Sequence, residues 1–364
     1  MNNSIQLSPI GLSLDASFLE SPVPPERQER IVAHLWGNSI GYKKQHFRPY
    51  FQYYTEQCRV AFHSHGSRLP IRTHQHIVHI ANCMHSGCTR SAVKDFISQT
   101  QWTSEPTSED AINASVDLTV RLLLMLDVGE FHNAYSGRKK LLWVEGSLQE
   151  FVHETLPEAI SLDHDRIRFD GAFKVCNMVR IAGFRVELTS NLSDHLRLRD
   201  IDKTVTVFHH ASFLMAHRQY VYPSSRFLLL ATLLTATCRK STSIFPAGLV
   251  DETLATLSLL FPLNDKETER WYRKQVAPDE LDSYIGRCGT ADRQIGEYTY
   301  WHDRLVILKA EFDDSKPSTV TQWWNDRREG GQWYAIWSAI VLTVLFGLVQ
   351  SIEGALQVYK AYNP

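Results

Sequence analysis

The sequence predicts an α+β fold: a mainly helical body with a small antiparallel sheet, followed by one C-terminal transmembrane helix. Three observations predict it. Apolar residues recur at helical spacing in several long segments; residues 184–188 and 196–199 alternate apolar and polar with period two; and residues 330–352 run without a charge. With 364 residues, enough chain lies outside that last run to bury a sizeable core.

Taking the elements in order, residues 1–25 read as an extended N-terminal arm, broken by Pro22, Pro24 and Pro25. Pro25 suits the first position of a helix through Trp36, and Gly37 suits its end. Residues 26–105 form a helical region rich in His and Cys, and residues 106–317 a mixed α+β body. Within the body, Thr107–Met125 reads as a core helix, with Thr107 and Asp110 spaced as a capping box. Phe184, Val186 and Leu188 alternate with Arg185 and Glu187, and Leu196 and Leu198 with Arg197 and Arg199, as in half-buried strands. Asp200–Lys203 is turn-like and leads into Thr204–Phe208, which predicts a hairpin. Helical spacing returns at 248–261, 265–275 and 292–312. The apolar run Phe227–Cys238 is too short to span a bilayer and reads as a core element. Residues 318–329 are expected to form a juxtamembrane helix, residues 330–352 the membrane span and residues 353–364 a short tail.

The 23 residues of the span rise about 34 Å at roughly 1.5 Å each, enough for a hydrocarbon core of about 30 Å. Trp323, Trp324, Trp333, Tyr334 and Trp337 lie near its start and Tyr359 and Tyr362 beyond its end, where rings favour the headgroup layers. The N-terminus lacks a basic region and an uninterrupted apolar core, so no signal peptide is read there. A tail-anchored protein is therefore expected, with its body in the cytosol at the endoplasmic reticulum or another endomembrane. Arg327 and Arg328 before the span, against Lys360 after it, agree with that orientation. Sequons at Asn2, Asn113 and Asn191 are glycosylation sites only in the opposite, lumenal orientation. Ala335, Ala339, Thr343, Gly347, Ser351 and Ala355 recur every fourth residue, a ridge suited to homo- or hetero-association of helices in lipid.

The charge of -2 gives no reason to expect nucleic acid as a partner, and six cysteines in this length are too sparse for a disulfide framework. No phosphate loop occurs. The densest cluster of chemical side chains is histidine: His63, His65, His74, His76, His79 and His85 fall beside Cys58, Cys83 and Cys88. Zinc or copper would suit His74, His76, His79, Cys83, His85 and Cys88, although the spacing matches no known finger or metalloprotease pattern. Surface or core histidines are the competing reading. Asp194, His195, His209, His210 and Ser212 hold the residue types of a hydrolase, but Ser212 lacks the turn that exposes a nucleophile and is equally suited to cap a helix.

The segments VRLLLMLDVGEFHNAYSGRKKLLW, RIAGFRVELTSNLSDHLRLRDIDKTVTVFHHASFL, RQIGEYTYWHDRLVILKAEFDD and QWWNDRREGGQWYAIWSAIVLTVLFGLVQSIEGALQVYKAY resemble an uncharacterised filamentous-fungal family whose members end in a membrane helix. The resemblance covers roughly residues 118–362 and implies no activity, cofactor or catalytic residue. The expectation from sequence is thus a membrane-tethered interaction or accessory protein, with a membrane-bound, metal-dependent enzyme acting on a lipophilic substrate as the alternative.

Overall fold

The computed structural model describes residues 13–37, 47–100, 102, 107–129, 140–162, 167–221, 243–277, 282–289, 291–315, 324 and 330–362. Among these lie twelve α-helices and a three-stranded sheet. The Asn2 sequon, the Phe227–Cys238 run and all of 318–329 except Trp324 lie outside the described residues.

The first helices form where local signals place them. α1 (Pro25–Trp36) starts on its proline and ends at Gly37, whose φ of 89° suits a residue without a Cβ. The segment before it is not a free arm from Leu14 onward, because Leu14, Phe18 and Val23 are buried and Ser17 bridges to Thr73. α2 (Arg48–His65) is followed by α3 (His74–His85), where Thr73 Oγ1 accepts from His76 N, and by α4 (Arg90–Thr100).

α5 (Glu109–Leu124) is the central post, packed by α2, α3 and α4, and its last turns are buried on every side. Its cap corrects the expectation: Ser108, not Thr107, accepts from Ala111 N, one residue later than the proposed box. A complete capping box occurs instead at Ser147 and Glu150, opening α6 (Leu148–Thr155).

The sheet is mixed, not antiparallel throughout. After α7 (Val175–Arg180), β1 (Arg185–Thr189) runs parallel to β3 (Thr204–Phe208), while β2 (Arg197–Arg199) pairs antiparallel with β3 through the expected hairpin. The order is β1-β3-β2, with Val186 opposite Val205 and Leu198 opposite Val205 on the other side. Crossing over β3 before the hairpin lets the chain return alongside β1 in the same direction. β3, with neighbours on both edges, is wholly buried.

α8 (Ala211–Val221) follows β3 and packs against α9 (Leu249–Leu260); α10 (Lys266–Gln275) packs against α7. The helix expected over 292–312 is interrupted: a 3-10 turn at Ile295–Glu297 precedes α11 (His302–Asp314). Glu252 of α9 explains the break. Its carboxylate accepts from the backbone N–H groups of Thr299, Tyr300 and Trp301 at 2.9, 3.0 and 2.7 Å, a carboxylate seat at the start of α11. Ile295, Tyr298, Trp301, Leu305 and Leu308 are all buried nonetheless.

α12 (Gly330–Tyr362) continues past the charge-free run to Tyr362. Residues Trp333–Tyr362 are apolar and long enough to cross a membrane, with none of the apolar stretch buried against the body. The small-residue ridge from Ala335 to Ala355 is exposed, and Thr343 Oγ1 donates to Ala339 O within its own helix.

Candidate functional site

Thr189 and Phe208, the last residues of β1 and β3, stand side by side because the strands are parallel. The chain leaves both at the same edge of the sheet, where open parallel sheets commonly hold ligands. Ser190 leaves the first strand there and His209 and His210 leave the second. The ladder extends one bond further, His209 N donating to Thr189 O at 3.4 Å.

A cleft of about 1640 Å³ opens at this edge. One wall is α2, with Tyr53, Glu56, Arg59 and Phe62; the other is β1, with Val186, Leu188 and then Ser190; Trp271 and Gln275 of α10 line its far side. His209 and His210 lie at its floor, 7% and 2% exposed. Phe62, Val186, Leu188 and Trp271 are half-buried and give the cleft an apolar component beside its charged rim.

His210 Nε2 is 2.9 Å from the half-buried Ser190 Oγ. Its other ring nitrogen, Nδ1, is buried and has no hydrogen-bond partner. Burial, with His209 adding to it, pushes the His210 imidazole well below the ordinary histidine range. His209 is held differently. Its Nδ1 is 3.1 Å from the Tyr272 hydroxyl, which itself accepts from Asp282 N at 3.1 Å. One proton is shared across the contact between His209 Nδ1 and the Tyr272 hydroxyl. Burial lowers the His209 pKa to about 4, so the ring is neutral at neutral pH.

The hydrolase-like residues noted in the sequence are brought near one another but not into a triad. Ser212 donates from Oγ to Asp282 Oδ2 at 2.7 Å, and its backbone N–H donates to the same oxygen at 2.8 Å, at the start of α8. Burial raises Asp282 to about 6. His195 accepts from Phe208 N on Nδ1 and meets Thr256 Oγ1 on Nε2 at 2.7 Å, so both nitrogens tie β3 to α9. Asp194 accepts from Asn191 Nδ2. Ser190, Tyr272 and Asp282 were not singled out from sequence; the usable signal for Ser190 was its position as the first residue after β1.

The His/Cys cluster is divided between faces. His74 and His85 are committed to the interior, His74 Nδ1 to the Tyr54 hydroxyl at 2.8 Å and His85 Nε2 to Leu35 O at 3.0 Å. Burial lowers His74 to about 4. His76 stacks on Trp102 with ring centres 4.4 Å apart and accepts from Arg72 N, while His79 is bonded to Gln75. Cys83 and Cys88 are half-buried thiols. Among the described residues no three His, Cys, Asp or Glu side chains are arranged to hold a metal ion. Of the sequons, Asn113 lies in α5 and accepts from Arg90, and Asn191 is buried with its amide donating to Asp194.

Comparison with models of known families, with curated proteins and with solved structures finds no match to this chain.

Proposed function

We propose that this chain is a single-pass membrane-tethered protein whose body, in the cytosol at an endomembrane, binds a small amphiphilic partner molecule in the cleft between α2 and β1. The observation that carries the tether is α12, whose apolar surface finds no cover in the body. A soluble protein would leave this surface as a large aggregation hazard, whereas a bilayer covers it. The cleft's mixed lining, half-buried Phe62 and Trp271 beside charged Glu56 and Arg59, supports a ligand with an apolar part and a polar part.

The test is alkaline carbonate extraction of membranes from cells expressing the full chain with an N-terminal tag, followed by protease treatment of intact vesicles. The expected result is a carbonate-resistant protein whose tag is digested. Release into the supernatant would remove the tether, and a protected tag would reverse the orientation. A second reading, an enzyme acting on a lipophilic substrate, is favoured by the contact between Ser190 and His210 at the cleft.

A further inference from the structure

Ser190 and His210 follow different strands, yet the parallel pairing of β1 and β3 sets them within hydrogen-bond distance, 2.9 Å from Oγ to Nε2. The hydroxyl is half-buried and lines the cleft; the imidazole lies behind it, 2% exposed. A nucleophile facing a ligand space with its base sheltered behind is the spatial order that acyl transfer needs. His210 Nδ1 is buried without a hydrogen-bond partner, as is Nε2 of the interior His74, so the dyad rests on the Nε2 contact and its place at the cleft.

We propose that Ser190 and His210 form a nucleophile–base dyad that hydrolyses carboxylic esters with an apolar acyl chain, with His209 as a donor to the developing oxyanion. The substrate class follows from the lining: Phe62, Val186, Leu188 and Trp271 suit an acyl chain, while no phosphate loop or metal set is needed for the attack.

Ser190 Oγ attacks the ester carbonyl carbon as its proton passes to His210 Nε2, which requires the resting proton of His210 to sit on Nδ1. The carbonyl π electrons move to oxygen, for which His209 in its Nε2–H tautomer is the assigned hydrogen-bond donor; its ring centre is 4.3 Å from that of His210. The tetrahedral adduct collapses, the bond to the alcohol oxygen breaks, and His210 returns its proton to that oxygen. Water then attacks the acyl-Ser190 ester, giving one proton to His210. The second collapse releases the carboxylic acid, and His210 hands the proton back to Ser190 Oγ. Atoms balance with water as the co-reactant.

This deepens the reading of the cleft as a ligand site, so the experiment separates the two. The full chain in neutral detergent is treated with a fluorophosphonate probe, and the modified peptide is identified by mass spectrometry; hydrolysis of p-nitrophenyl butyrate and decanoate is followed in parallel. The expected result is an adduct on Ser190, absent from Ser190→Ala, retained in Ser193→Ala, and slowed at least about 100-fold in His210→Asn. The longer ester should be the better substrate by kcat/KM. A non-hydrolysable decyl ketone, tested by quenching of tryptophan fluorescence, reports occupancy independently of chemistry. Ketone binding with no adduct on wild-type Ser190 overturns the dyad alone; no adduct and no binding overturns both the dyad and the ligand site. An adduct that persists in Ser190→Ala, or lies on another serine, also overturns the dyad.

Discussion

Five of the six buried histidines among the described residues should make the body acid-labile, and the size of that effect can be worked from their surroundings. His74, His195, His209, His210 and His217 are each at most 7% exposed. Desolvation lowers His74 and His209 to about 4, and His195 and His217 to about 3; His210 shifts in the same direction. A histidine whose folded pKa is depressed contributes stability above its unfolded value of about 6.5, and loses it as pH falls towards the folded value. The opposite sign belongs to Asp282, raised to about 6 by burial: the folded state takes its proton first as pH falls, which offsets one histidine. From these six groups about four protons therefore separate unfolded from folded chain near pH 5, a slope of about 5 kcal/mol per pH unit. Against a stability of about 5–15 kcal/mol, the body should unfold cooperatively between about pH 5.5 and 4. His195 supplies a mechanism: protonating Nδ1 deprives the Phe208 N–H of its acceptor and breaks the tie between β3 and α9. Tryptophan fluorescence and near-ultraviolet circular dichroism of the full chain in neutral detergent, with potentiometric titration, measure both quantities. Native signals persisting at pH 4, or uptake of fewer than two protons across the transition, would refute the reasoning.

Glu252→Ala strips three backbone N–H groups of their acceptor at once, so a loss of roughly 4 kcal/mol and a fall in Tm of about 8 °C or more are expected in a thermal melt. Gly129→Ala should lower stability by about 2 kcal/mol or more in urea titration. Gly129 has φ +103°, and a Cβ there would stand 2.7 Å from the Asp117 oxygen that Asp117 must hold steady while its carboxylate pairs with Arg90. If the dyad is active, the fluorophosphonate reaction should stay level from pH 8 down to about 6, because burial keeps His210 unprotonated where an ordinary histidine titrates. A rate that halves near pH 6.5 would point to an exposed base instead.

Much of the fold could be read from local patterns. Period-two alternation located β1 and the hairpin, Pro25 and Gly37 bounded α1, and the charge-free run located α12. What local patterns miss is pairing at a distance. Nothing in the residues of β1 says that its neighbour is β3 rather than β2, because half-buried alternation looks the same in parallel and antiparallel ladders. That unread pairing is what creates the candidate site, since it brings Ser190 to His210 across twenty residues of chain. The interruption before α11 was hidden for a similar reason: the apolar period runs on through Tyr298 and Trp301, while the carboxylate that draws off the backbone donors belongs to Glu252, far away in sequence. The metal reading drew on residue density and on the short His-to-His spacings, and α3 winds all of those side chains but Cys88 around its circumference.

The order β1-β3-β2 also governs how the protein behaves at high concentration. The central strand carries no charge, whereas both edge strands alternate charge with apolar residues, Arg185 and Glu187 on one and Arg197 and Arg199 on the other. Another chain seeking to extend the sheet would have to set its own strand against these charges, which discourages fibrous stacking. With α12 in a membrane, as proposed above, copies of the body would be held side by side, and charged edges of this kind would keep their sheets from fusing.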